Sequence, residues 1–155
     1  MRSRSSQSGF TIIEIMIVVV IIGVLATIAV RATNGYVARA KVSEAIIALT
    51  NCRTLISEIY MSGDSFPGAD NWGCESSGTT KYVGSVKTSD EGIVKVELRG
   101  MGDLRLDFHT ITLAPLDSTG TLMTALGRVS RWRCGSPVDG TDLNIEFLPG
   151  TCRGN

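Results

Sequence analysis

One stretch constrains this chain more than any other. Residues 10–30 read "FTIIEIMIVVVIIGVLATIAV". Apart from Glu14, every residue in it is apolar, Gly or Thr. The stretch holds about 21 residues, and a helix needs roughly 20 to cross a bilayer. An acid entering lipid costs a few kcal/mol, so Glu14 calls for a partner that offsets that cost. The segment follows "MRSRSSQSG", which is short, polar and basic through Arg2 and Arg4. A secretory signal would carry a shorter apolar region and a small-residue cleavage site behind it. Here the apolar run leads straight into "RATNGYVARAKVSEA", which reads as more helix. An uncleaved signal anchor is the plainest reading. Arg31, Arg39 and Lys41 outnumber Arg2 and Arg4, so charge bias does not fix the orientation.

The remainder is enough for one modest core. Residues 32–61 carry Val42, Ala45, Leu49, Cys52, Ile56 and Ile59 at alternating steps of three and four, one face of a helix. No Pro falls between Phe10 and Met61. The lipid segment and the amphipathic segment therefore read as one rod of roughly 75 to 80 Å. Asn34-Gly35 is its weakest point beyond the membrane, and "SGDSFPG" at residues 62–68 should end it.

"FPGADNWGCESSGTTK" then reads as a loop, followed by strand-like runs. These are "KYVGSV" (81–86), "GIVKVEL" (92–98), "LRLDF" (104–108), "ITLAPL" (111–116) and "RVSRWRC" (128–134), with "LNIEF" (143–147) as edge strand or loop. One long helix followed by short strands and turns predicts an α+β fold, with an antiparallel sheet of about four strands against the helix.

Four cysteines, Cys52, Cys74, Cys134 and Cys152, all lie beyond the apolar segment. Their long spacings suit disulfides in an oxidising compartment rather than a zinc site, which would show close pairs. Three connectivities are possible. Sequential pairing, Cys52–Cys74 and Cys134–Cys152, is preferred, because each bridge then closes a slack loop of about 20 residues, a gain of roughly 3 kcal/mol.

The chemistry of an enzyme is not marked. His109 is the only histidine, and no spacing converges partners on it. Asp64, Asp70, Asp90, Glu91, Asp139 and Asp142 are scattered turn acids without the regular ligand spacing of a calcium loop. Trp72 and Trp132 are expected to pack beside the disulfides. The formal charge is zero, so nucleic acid is not indicated as the main partner. No catalytic residue, metal or cofactor is expected.

The front end resembles a type IV pilin of the short-leader class. The likeness is carried by a basic leader ending in Gly9, the aromatic Phe10, Glu14 four residues on, the apolar run, and "YVARAKVSEA" behind it. "KYVGSV", "GIVKVEL", "TITLAPL", "RWRC" and a closing "LPGTC" follow in the order the family would place them. The stretch between Cys134 and Cys152 is similar to the family's disulfide-bounded C-terminal region, with Trp132 and Pro149 placed accordingly.

That resemblance implies a leader at residues 1–9, a transmembrane and assembly helix at 10–31, and a globular head at 32–155. It implies an inner-membrane precursor, cut between Gly9 and Phe10 by a prepilin peptidase that also methylates the new Phe10 amine. It implies an assembly role for Glu14, and a homopolymer built by a pilus assembly platform into an extracellular fimbrium. Such fibres serve adhesion, twitching motility and, in some cases, DNA uptake. The surface they would bind, host or abiotic, is not implied. A minor pilin or type II secretion pseudopilin is the first alternative, and a signal-anchored periplasmic binding module the second. The chain departs from the family at Arg31, where a Pro is usual. Helix loosening between Gly23 and that position is correspondingly less expected, with Asn34-Gly35 a substitute flexible point.

Overall fold

The computed structural model describes residues 9–63, 65–78 and 80–154, without the side chains of Arg31, Ala32 and Asn34. Apart from Gly9, the expected leader lies outside the described residues, as does Asp64. A single helix, α1, runs Ile12–Ser62, and its backbone stays helical through Asn34-Gly35. Five strands follow: β1 (Ser76–Ser77), β2 (Val83–Thr88), β3 (Val94–Leu98), β4 (Thr110–Leu116) and β5 (Arg131–Cys134). They form one sheet in sequence order, every neighbour antiparallel. Single 3-10 turns occupy Pro137–Asp139 and Ile145–Phe147. The fold is α+β. Contacts divide the chain into two compact units, one ending at Tyr36 and the other starting at Val37.

In the second unit, the buried helix positions are Val42, Ala45, Leu49, Cys52, Ile56 and Tyr60. Tyr60 takes the place expected of Ile59, which is only half-buried. At 3.6 residues per turn, the four-residue step from Ile56 falls nearer the face than the three-residue step. Val83, Val86, Val94, Val96, Leu98, Ile111 and Leu113 supply the sheet's share of the same core. β3 buries every second residue, with Lys95 and Glu97 outside. β4 is covered on both faces, because Thr112, on the face away from the core, shares a 2.7 Å hydroxyl contact with Thr141.

Two expectations are corrected. Residues 104–108 are a turn, not a strand. Asp103 organises it: its C=O accepts from the N–H groups of Leu106 and Asp107, and its carboxylate from that of Arg105. Only Leu106 goes into the core, while Leu104 and Phe108 stay outside. The other difference is β1, which the loop reading did not anticipate. Two serines carry no apolar alternation, and only pairing with Val86 and Ser85 reveals them as a strand.

Cys52 is bonded to Cys74 across a Cα–Cα distance of 5.2 Å, and Cys134 to Cys152 across 4.6 Å. Trp72 belongs to an aromatic cluster, with ring centroids 5.6 Å from Tyr60 and 5.7 Å from Phe66. Its indole N–H donates to the Ser89 C=O at 2.9 Å. Trp132 packs against the core with Arg53 over its ring at 5.8 Å.

Candidate assembly helix and its head

The front of α1 has no core to join. Every large apolar side chain from Ile12 to Val30 is at least half exposed, as is Phe10. It is the one described helix long and apolar enough to cross a membrane. Its hydroxyls are satisfied within the helix: Thr27 donates to the Val24 C=O at 2.7 Å, and Thr33 to that of Ala29 at 2.8 Å. A surface of this kind is stable only against lipid or against other apolar helices.

Glu14 closes the front edge. The helix begins after Thr11, and the Glu14 N–H donates to the Thr11 hydroxyl oxygen at 3.4 Å. In return the Thr11 N–H and hydroxyl both donate to Glu14 Oε2, at 3.0 and 2.8 Å. This reciprocal arrangement is a capping box, and it satisfies backbone donors that a helix start leaves unpaired. The signal was in the sequence as "TIIE", a Thr followed three residues later by Glu before an apolar run. Glu14 Oε1 makes no hydrogen bond among the described residues. The carboxylate can therefore cap its own helix with one oxygen and offer the other to an outside donor.

The head is tied together around its two disulfide loops. Between Cys52 and Cys74, the Asp70 N–H donates to the Thr88 hydroxyl and the Thr88 N–H donates to Asp70, at 3.1 and 3.0 Å. Glu75 accepts from the N–H groups of Trp72 and Gly73 at 2.9 and 2.8 Å, and from the Thr88 hydroxyl. Burial pushes the Glu75 carboxyl up. Hydrogen bonds from Thr88 and from the N–H groups at Glu75, Trp72 and Gly73 outweigh it, and hold the pKa below the ordinary 4.5. Burial also raises the Tyr60 phenol to about 12, with Glu91 adding to the shift.

The second loop lies over β4 and β5. Arg133 makes a two-point contact with the buried Asp139, Nε to Oδ2 at 2.8 Å and Nη2 to Oδ1 at 2.7 Å. The Thr110 N–H donates to Asp142 at 2.5 Å. His109 stands beside it, Nδ1 3.5 Å from Asp142 Oδ2. Gly135 has φ +72°, and a Cβ there would lie 2.5 Å from the Cys152 carbonyl oxygen. Among the described residues no group of His, Cys, Asp and Glu is placed to hold a metal ion.

Comparison with known proteins addresses both regions. Residues 4–30 match the prokaryotic N-terminal methylation motif, and residues 38–153 match the family of pilins that form bacterial filaments. The chain belongs to the type IV pilin family. It is 30% identical to the type IV major pilin protein PilE1 of Neisseria gonorrhoeae, over 96% of this chain and 95% of that protein. It is 33% identical to the fimbrial protein EcpC of Eikenella corrodens, over 97% and 93%. It is 30% identical to the type IV major fimbrial protein FimA of Dichelobacter nodosus, over 97% and 98%. This pilin is thus a structural filament subunit by family, and the methylation-motif match covers the exposed front of α1 while the pilin match covers the disulfide-bridged head.

Proposed function

We propose that this pilin is the major structural subunit of a type IV pilus, held first in the inner membrane and then polymerised through the front of α1. One observation carries the reading: an exposed apolar helix front with a single acid, Glu14, one turn from Phe10. The match of residues 4–30 to the methylation motif supports cleavage between Gly9 and Phe10 by a prepilin peptidase, followed by methylation of the Phe10 amine. Cleavage would place a new amine beside the capping box. In a staggered stack of helices, Glu14 meets the Phe10 amine of a neighbouring copy. Within an apolar fibre that pairing is far stronger than in water, and an unpaired acid is costly, so the right register is selected. A pilus assembly platform, powered by cytoplasmic ATPases, would drive extension. Adhesion and twitching motility are the uses this reading favours, with DNA uptake a further one.

The disulfide-bounded C-terminal loop and the likeness to major pilins favour a pilus subunit over a secretion pseudopilin. The test is the intact mass of the protein in sheared surface fibres. The expected chain starts at a methylated Phe10. A mass that retains residues 1–9, or fibres without this protein, would overturn the reading.

A further inference from the structure

The connection from β4 to β5, residues 117–130, is fourteen residues long and holds no strand or helix of its own. An irregular loop of that length is uncommon in a compact head unless it serves a function. This one is built firmly. The Met123 N–H donates to the Pro115 C=O at 3.1 Å, the Gly127 N–H to that of Tyr60 at 2.8 Å, and the Ser130 N–H to that of Leu116 at 2.9 Å. The Tyr60 hydroxyl donates to the Met123 C=O at 3.2 Å. The Asp117 carboxylate accepts from the N–H groups of Thr119 and Thr121 at 2.8 and 3.0 Å, and from both of their hydroxyls. These ties frame an open cleft of about 600 Å³, the size of a small-molecule site.

We propose that this cleft binds an acidic sugar, a polyol ring that carries a carboxylate. Met123 and Val129 give it apolar lining for the ring's C–H face. The backbone N–H and C=O groups of Thr124, Ala125 and Leu126 make no hydrogen bond among the described residues, and neither do those of Arg128 and Val129. Sugar hydroxyls both donate and accept, so they match a lining with both kinds of group free. The charged residues of the lining are Arg128 and Asp117. Asp117 is already served by four donors from its own turn. Arg128 is exposed and makes no ion pair among the described residues. Its guanidinium is a donor-only fork that matches a carboxylate at two points. The proposal deepens the adhesive use inferred above and rests on it, but binding is read on the subunit and needs no fibre.

The test passes full-length pilin in detergent over surfaces that carry glucuronate, N-acetylneuraminate or neutral glucose on one linker, at about 150 mM salt. Wild type, Arg128→Gln, Ala125→Trp and Lys95→Gln are compared. All three positions are exposed, so each variant should melt as wild type does. Wild type should be retained by an acidic sugar and not by glucose. Arg128→Gln should weaken retention about tenfold, the worth of one charge-assisted pair. Ala125→Trp should weaken it as much by filling the cleft, and Lys95→Gln, outside the cleft, should change nothing. Stronger retention on N-acetylneuraminate supports the proposal with a host glycan as the source, and stronger retention on glucuronate supports it with a uronic-acid polymer. No retention, or equal retention on glucose, would overturn it. So would unchanged retention in Arg128→Gln or in Ala125→Trp. Equal losses from Arg128→Gln and Lys95→Gln would overturn it too, in favour of diffuse charge attraction. Each of these failures leaves the fibre reading standing, since fibres are counted separately on sheared material.

Discussion

The two halves of α1 share a backbone and almost nothing else. In the front half the large apolar side chains point in every direction, and all are exposed. In the rear half Val42, Ala45, Leu49, Cys52, Ile56 and Tyr60 recur on one face and are buried, while Arg53 and Glu58 stay outside. Periodicity is the difference. A helix without a polar face cannot choose a side to bury, so it needs an apolar environment all round. A helix with one apolar stripe builds a core and stops there. The lesson is that one continuous helix can hold two independent surfaces, one apolar all round and one striped for folding.

Substitutions can break that division if it is wrong. The largest expected effect comes from emptying the core stripe. Leu49→Ala should destabilise the head by about 3 kcal/mol, whereas Ile17→Ala should leave head unfolding unchanged within about 0.5 kcal/mol. Chemical denaturation followed by the fluorescence of Trp72 and Trp132 measures both. Equal losses from the two substitutions would contradict separate surfaces.

Next is the ion pair in the terminal disulfide loop. Asp139→Ala strands Arg133 beside a vacated site, at a cost of about 2 to 3 kcal/mol by the same assay. Arg133 keeps some solvent access, which holds the figure below that of a fully buried pair. Gly135→Ala should cost about 1 to 2 kcal/mol, since its Cβ would crowd the Cys152 carbonyl in a left-handed backbone. Membrane insertion should be normal in both, as judged by fractionation.

The smallest effect is acid sensitivity at Glu75. Its pKa is lower in the folded head than in the unfolded chain. Its contribution is therefore fully present above about pH 4.5 and is lost as pH falls through the folded value. Glu75→Gln should flatten part of the fall in melting temperature below pH 4.5 and leave fibre assembly alone. An unchanged acid profile would remove Glu75 from the account.

Much of this was legible from the sequence. The apolar run and the three-and-four stripe are long, periodic signals, and they located both halves of α1. β2 to β5 overlap the strand-like runs, although β2 continues two residues past its run to Thr88, β4 starts one residue earlier at Thr110, and β5 uses only the last four residues of its run. What failed was short and local. "LRLDF" alternates as a strand would, but a strand reading places Leu104, Leu106 and Phe108 on one face. Hydrogen bonding by Asp103 and Asp107 turns the chain instead and buries only Leu106. Alternation over five residues cannot distinguish the two. The capping box is written in "TIIE", but a lone acid in an apolar run reads first as a charge in need of a distant partner.

The most direct test of the central claim is Glu14→Gln. A Gln at this position can still complete the capping box with Thr11, so the helix start is preserved and only the charge is removed. Surface fibres should be counted by electron microscopy alongside head unfolding and the mass of the processed chain. The account predicts wild-type unfolding, wild-type insertion and leader removal, and a fall in fibre number of about tenfold or more. Normal numbers of fibres from the Gln variant would contradict it.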